Sequence, residues 1–379
     1  MNSPLCRGTT VGAPVRGEDC EEACYREVGV TTVSGLGSRE LLKRPPVTSV
    51  SPHNGPSVSR VDMSWYDFSL WMSLNTGSGM SSRYLDLANS GKNQWWRYVA
   101  GSFFIVSFWL VVGISLYTAL AVLTIAARRS PDSEGGRILL SVVQDPFTEY
   151  VLLNLGHVAI LAALFIAMRF IHARSLITLV TPNERIDWKR IGEGFGVFLS
   201  LSAVLTFIDY LFEPATYRMT HHPLRMLSHA PVVLVLTPIQ ATTEELFFRG
   251  YLLQALGRIT RKWHFPAVIT SLLFMFLHLA NPEVQHGFLA ASAYYFGIGF
   301  LFALITIKSD SLELVIGAHT AINLFTALLV NYSDSVLNVE SLVFSTEVNL
   351  GANLLSLVIM ALVSYWVFFR RTKLAPEGA

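Results

Sequence analysis

Glu244 and Glu245 stand side by side inside an apolar run, Val232 to Leu256, and Arg249 follows four residues after Glu245. A run of that length can span a bilayer, and ionisable groups at such depth are costly enough to mark function. On a helix Glu245 and Arg249 are i and i+4, close enough to pair, whereas Glu244 is turned about 100° away. The spacing therefore predicts one carboxylate held by the arginine and one facing elsewhere. Two later apolar segments carry further polar groups. His278 closes Phe274-Met275-Phe276-Leu277-His278, and His319 and Asn323 share one helix face at i and i+4. Any one of these alone reads as a packing device. Together, in neighbouring apolar helices, they favour a shared polar pocket inside the bundle.

The chemistry open to such a pocket is hydrolysis. A carboxylate beside a neutral histidine can hold and deprotonate a water, and an asparagine amide with a histidine N–H can donate to a developing oxyanion. Glu244, His278 and His319 could instead hold a divalent metal, zinc being the first choice for such ligands. Spacing alone does not choose between the two. No HExxH occurs, which excludes the common zinc-protease helix. Cys6, Cys20 and Cys24 all lie in the N-terminal segment, so the apolar region has no thiol nucleophile.

These side chains need helices to hold them. The chain has 379 residues, 52% hydrophobic and 15% charged, against about 25% charged in soluble domains, so it reads as an all-α, polytopic membrane protein. A net charge of +1 without a basic stripe excludes a nucleic-acid partner. About eight spans are expected: Tyr98–Ala127, Phe147–Phe170, Ile191–Phe212, Pro231–Leu256, Phe265–Leu279, Gly287–Ile307, Leu312–Val330 and Leu350–Phe369. Pro238 is expected to loosen the fourth span just before the carboxylates. His157, in the second span, reads as a helix-packing group. The stretches after Arg129 and from Glu213 to His229 read as polar loops, the latter carrying His221, His222 and His229.

The chain divides into a mostly disordered tail over 1–92, two spans over 93–190, a catalytic core over 191–335 and a last span over 336–379. Within the tail, Met63 to Met72 is aromatic enough to lie on a membrane surface, and Met63, Met72 and Met80 are alternative starts. Basic loops after spans two and four and a basic C-terminus place both termini in the cytoplasm. Arg128, Arg129 and Arg137 would then fall on the other side.

At its polar residues the chain resembles the CPBP family, the CAAX-protease and bacteriocin-processing (Abi) enzymes. The family motifs EExxxR, FxxxH and HxxxN read here as Glu244-Glu245…Arg249, Phe274…His278 and His319…Asn323, in that order, within roughly residues 195–330. The resemblance implies an intramembrane endopeptidase of a membrane-associated protein or peptide, of the type that cleaves prenylated CAAX proteins. It implies Glu244, Glu245, His278, His319 and Asn323 as catalytic residues, with Arg249 and Phe274 in support. In that scheme Glu244 activates water with His278, and His319 and Asn323 steady the oxyanion. Members are also described as metalloproteases, so zinc remains an alternative. Two further readings use the same polar cluster: a non-enzymatic immunity or partner protein, and an ion- or proton-coupled transporter. No second copy of the EExxxR stretch supports the inverted repeats common in transporters.

Overall fold

The structure, a computed structural model, describes residues 83–260, 262–332 and 334–370. The aromatic segment Met63–Met72, the cysteines, and Arg371 and Lys373 lie outside the described residues. All eight apolar segments form helices. Among the described residues six helical stretches are long and apolar enough to cross a bilayer: Trp95–Arg129, Pro146–Ile171, Trp188–Phe212, Pro223–Gly257, Phe288–Ser309 and Leu350–Phe369. The other two, His264–His278 and Glu313–Leu329, are shorter apolar helices of 10–17 residues, below the ~20 residues of a full crossing. These short helices are the ones that carry His278 and His319.

In chain order the α-helices are α1 (Arg83–Asp86), α2 (Trp95–Arg129), α3 (Glu134–Val143), α4 (Pro146–Ile166), α5 (Trp188–Phe212), α6 (Pro223–Glu245), α7 (Leu253–Gly257), α8 (His264–His278), α9 (Phe288–Ser309), α10 (Glu313–Leu324) and α11 (Leu350–Phe369). Several begin at caps legible in the sequence. The Asp145 carboxylate accepts from Phe147 N at 2.9 Å, with Pro146 in the first turn of α4, and the Asn349 amide oxygen accepts from Ala352 N at 3.0 Å at the start of α11. Large apolar side chains such as Val99, Phe103 and Val111 remain exposed along α2, as hydrocarbon rather than water demands.

Three helices loosen into π turns: α4 at Ala167–Ile171, α6 at Leu246–Leu252 and α10 at Phe325–Leu329. Wider turns of this kind are frequent at functional sites. Two of them follow the helices that carry the acidic pair and His319. Contrary to expectation, α6 runs unbroken through Pro231 and Pro238 and loosens only after Glu245. A proline costs its helix one backbone hydrogen bond, which neighbouring helices and side chains can make good.

Helix α10 packs most extensively on α5, because two glycines remove the side chains between them. A Cβ at Gly317 would lie 2.0 Å from the Ile191 carbonyl oxygen, and one at Gly194 2.0 Å from that of Leu314. Backbones this close are the small-residue contact that membrane helices favour, and here it sets the height and rotation of His319.

Three local features differ from the sequence reading. Residues 83–89, expected within the tail, are helical and docked: buried Tyr84 donates its OH to the Leu179 carbonyl at 2.5 Å. The polar loop after Arg129 contains α3, whose Ser133 cap accepts from Gly136 N at 3.0 Å; Gly135 and Gly136 hid it through their low helix propensity. A three-stranded sheet joins two expected loops, in the order β1 (Tyr217–Met219), β3 (Val343–Ser345), β2 (Val330–Tyr332). Arg218 faces Phe344 antiparallel, and Asn331 faces Phe344 from the parallel side. Strands of three residues are too short to show a period of two. The stretch 213–229 is thus partly β1, and His229 stands on α6.

Candidate active site

Glu245, on the last turn of α6, is fully buried, as is Arg249 in the π turn that follows. Arg249 Nη1 donates to Glu245 Oε1 at 2.9 Å, and Nη2 to the Gly299 carbonyl of α9 at 3.2 Å. The guanidinium lies over the Phe274 ring at 4.4 Å, an aromatic face suited to a cation stripped of water. Across the bundle, His319 Nδ1 lies 2.7 Å from the same Glu245 oxygen. Since Glu245 is paired with Arg249, Nδ1 carries the proton and donates it. Glu245 therefore neutralises Arg249, as the i, i+4 spacing led one to expect, and also holds the His319 ring, which that spacing did not foretell.

Glu244 faces the other way, into a cavity of ≈ 500 Å³ that His157, His278, His319 and Asn323 also line. Its Oε1 accepts from Gln240 Nε2 at 3.4 Å and lies 3.2 Å from His157 Nε2. Its Oε2 is buried without a hydrogen-bond partner among the described residues, and lies 3.8 Å from His278 Nε2 and 4.0 Å from His319 Nε2. His278 is held in turn by α8: its Nδ1 donates to the Phe274 carbonyl at 2.7 Å, and its ring stacks on Phe274 at 4.1 Å. Asn323, half-buried one turn beyond His319, presents its side chain on the cavity wall.

The approach of His157 is what the sequence reading missed. It sits on α4, outside the expected core of 191–335, and packing was its expected role. Helices α4 and α6 are fastened by Tyr150 OH and Thr237 Oγ1 at 2.7 Å. Two turns further along both helices, His157 meets Glu244. The only local hint was a polar residue at the same interval after Tyr150 as Glu244 after Thr237, and that interval has meaning only once the helices are paired.

Hydrogen-bond directions constrain the protons. His157 Nδ1 donates to the Leu153 carbonyl at 3.0 Å, His278 Nδ1 to Phe274, and His319 Nδ1 to Glu245. In their neutral forms all three rings therefore turn a lone pair at Nε2 towards Glu244, whose oxygens also only accept. The 3.2 Å contact between His157 and Glu244 requires a proton between them. Oε2 and the other two Nε2 atoms surround a point from which a group with two O–H donors satisfies Oε2 and one of the two rings, at ~2.8 Å from each.

The same donors suit zinc in type: two imidazoles and a carboxylate, with His319 and His278 oriented through Nδ1 in the manner of metal ligands. Their separations, 3.8 and 4.0 Å from Oε2, exceed the ~3.4 Å expected between tetrahedral ligands at Zn–N and Zn–O lengths of ~2.1 Å. As it stands, the geometry matches a hydrogen-bonded water better than a closed metal site. Among the described residues no group of three or more His, Cys, Asp or Glu is arranged to hold a metal ion.

Comparison with known proteins gives two matches. Residues 226–325, from α6 through the first residue of the last π turn, match the family model of type II CAAX prenyl endopeptidase Rce1-like proteins. The uncharacterized protein YyaK of Bacillus subtilis (strain 168) is 33% identical over 248 residues, covering 65% of this chain and 81% of that protein. No solved structure matches the chain.

Proposed function

The chain belongs to the Rce1-like family of type II CAAX prenyl endopeptidases, and from that premise we propose that it hydrolyses a peptide bond of a membrane-associated protein or peptide, with Glu244 as the general base. The observation that carries this reading is the division of labour in the acidic pair. Glu245 is held through one oxygen by Arg249 and His319 and does not line the cavity, while Glu244 lines it and turns an unpartnered oxygen towards two histidines.

A water between Glu244 Oε2 and His278 Nε2 gives its proton to the carboxylate as its oxygen adds to the scissile carbonyl carbon. The carbonyl oxygen gathers charge opposite His319 and Asn323. The Asn323 amide donates as it stands; His319 donates from Nε2 only as the imidazolium, because Nδ1 already donates to Glu245. Collapse of the tetrahedral intermediate breaks the C–N bond, and Glu244 returns its proton to the leaving nitrogen. His157 fixes Oε1 through the shared proton, so that Oε2 stays aimed at the water.

No step here passes through a metal. A zinc ion, if bound, would be held by Glu244, His278 and His319 and would supply a Lewis acid for the carbonyl. Low-dielectric surroundings strengthen each of these contacts. The basic loops after Ile171 and Gly257 support placing the enzyme in the cell membrane with both termini on the cytoplasmic side. An even number of crossings, six or eight, agrees with that placement.

The test is cleavage of a peptide library by purified, membrane-reconstituted wild type and by Glu244→Gln, each with and without chelator. Cleavage by the wild type alone supports the carboxylate mechanism, and loss on chelation would move the mechanism to the metal. Absence of cleavage of prenylated and unprenylated peptides alike by folded wild type would move the protein to the immunity or partner reading.

A further inference from the structure

The cavity that holds Glu244 contains a second buried carboxylate, Glu283, which the hydrolytic scheme leaves unused. Glu283 lies in the 3-10 turn Pro282–His286, just beyond the helix that ends at His278. It is 6% exposed and lines the cavity. Tyr295 OH donates to its Oε1 at 2.5 Å, and Asn281 Nδ2 approaches the same oxygen at 3.4 Å. Its Oε2 is buried and has no hydrogen-bond partner among the described residues, and no arginine, lysine or histidine there pairs with it. Every other deeply buried carboxylate among the described residues has a cationic or imidazole partner: Glu245 has Arg249, Glu313 has Arg190, and Glu244 has His157. A carboxylate taken out of water is costly unless a cation or several donors compensate it.

The groups around Glu283 indicate what would compensate it. Tyr294, Tyr295 and Tyr332 line the same part of the cavity, and the rings of Tyr294 and Tyr295 lie 5.9 Å apart at a steep angle. Phenol hydroxyls and a carboxylate together form a receptor for an ammonium or guanidinium group, which gains from the ion pair and from charge-assisted hydrogen bonds. Tyr295 also touches the hydrolytic centre: its ring lies 4.7 Å from that of His278. An extended peptide advances ~3.4 Å per residue, so a side chain held by Glu283 belongs to a residue a few positions from the bond at Glu244.

We infer that Glu283, with Tyr294, Tyr295 and Tyr332, is a specificity subsite for a basic side chain, lysine or arginine, of the peptide substrate. The inference rests on the peptidase reading above, but its test does not require turnover. The probe is a fluorescein-labelled decapeptide of alanine and leucine carrying one lysine, walked through every position, against the same series with the neutral isostere norleucine. Binding is read by anisotropy on full-length Glu244→Gln protein in non-ionic detergent, which contributes no ammonium groups. At one or two adjacent positions the lysine peptide should bind at least tenfold tighter than its norleucine twin. Adding Glu283→Gln should bring the two together, and adding Glu283→Arg should transfer the preference to a glutamate peptide. Should the Glu283 variants fail to fold, the lysine–norleucine comparison on the Glu244→Gln protein decides alone. Equal affinity at every position, including no binding by either series, would overturn the subsite, as would a preference that survives Glu283→Gln. Cleavage by wild type, assayed separately, reports on the peptidase reading whichever way the subsite falls.

Discussion

His319 Nδ1 lies 2.7 Å from Glu245 Oε1, the same oxygen that accepts from Arg249 Nη1 at 2.9 Å. One carboxylate oxygen thus joins α6, the π turn after it and α10. The link leaves His319 Nε2 facing Glu244, so in the proposed mechanism the more deeply buried glutamate aims a ring rather than touching water.

Removing Arg249 therefore strands a buried charge. Arg249→Met should cost about 3–5 kcal/mol of stability, read as a lowered unfolding midpoint in detergent. Glu245→Gln combined with Arg249→Met should lose much less than the two single losses summed, because the groups share one interaction. Additive losses would show that the pair does not act as a unit.

Glu244→Gln keeps the shape of the side chain and removes its ability to take a proton. Single-turnover cleavage should fall by about 10²–10⁴, while affinity for the intact peptide stays within a few-fold. A variant that cleaves at near wild-type rate would assign the base elsewhere.

In the proposed mechanism His157 acts through Glu244 and not on substrate. His157→Gln should lower kcat by roughly tenfold or more with little change in KM. His157→Phe, which fills the space without a proton, should behave alike. A lower melting point with an unchanged kcat would reduce His157 to packing.

At Gly317 the α5–α10 contact has no room for a methyl group, as the 2.0 Å approach to the Ile191 carbonyl oxygen shows. Gly317→Ala should cost about 1–3 kcal/mol and lower cleavage beyond any loss of folded protein, because α10 must move and His319 moves with it. Full specific activity in the folded fraction would mean that the site tolerates that shift.

His172, just past the π turn of α4, gives a pH signature of folding. Its Nδ1 donates to the Lys92 carbonyl at 3.1 Å, and its Nε2 accepts from Tyr251 OH at 2.8 Å, a neutral ring with both nitrogens used. Burial pushes its pKa down to about 4, with Arg174 and Arg97 adding to the fall and the Lys92 bond opposing it. The unfolded chain binds this proton near pH 6.5 and the folded protein only near pH 4. Stability should therefore be full above pH 6.5, decline as pH falls to about 4, and level off below. At about 1.4 kcal/mol per unit the loss reaches about 3 kcal/mol. Melting of His172→Gln should lack that slope; an unchanged slope would assign it to another group.

Much of this molecule is local and hence legible in its residues. Apolar length marks the helices, because a lipid-facing helix has to be apolar along its whole face. The i, i+4 interval pairs Glu245 with Arg249 and turns Glu244 away, because helix geometry repeats every 3.6 residues. The motif order brings Glu244, His278 and His319 under suspicion together. Other features have no local signature. His157 and Glu283 look like ordinary polar residues, and a strand of three residues carries no period. Tyr150 meets Thr237, and Tyr217 in β1 meets Ser345 in β3, across stretches of chain that impose no interval of their own. The rotation and height of each helix decide such meetings, and these follow from packing, above all the glycine contact between α5 and α10. By itself the sequence determined which side chains could do chemistry and on which helices they stand. Only the tertiary structure decided which glutamate turns an unpaired oxygen towards the histidines of the cavity, because that depends on what the neighbouring helices bring to it.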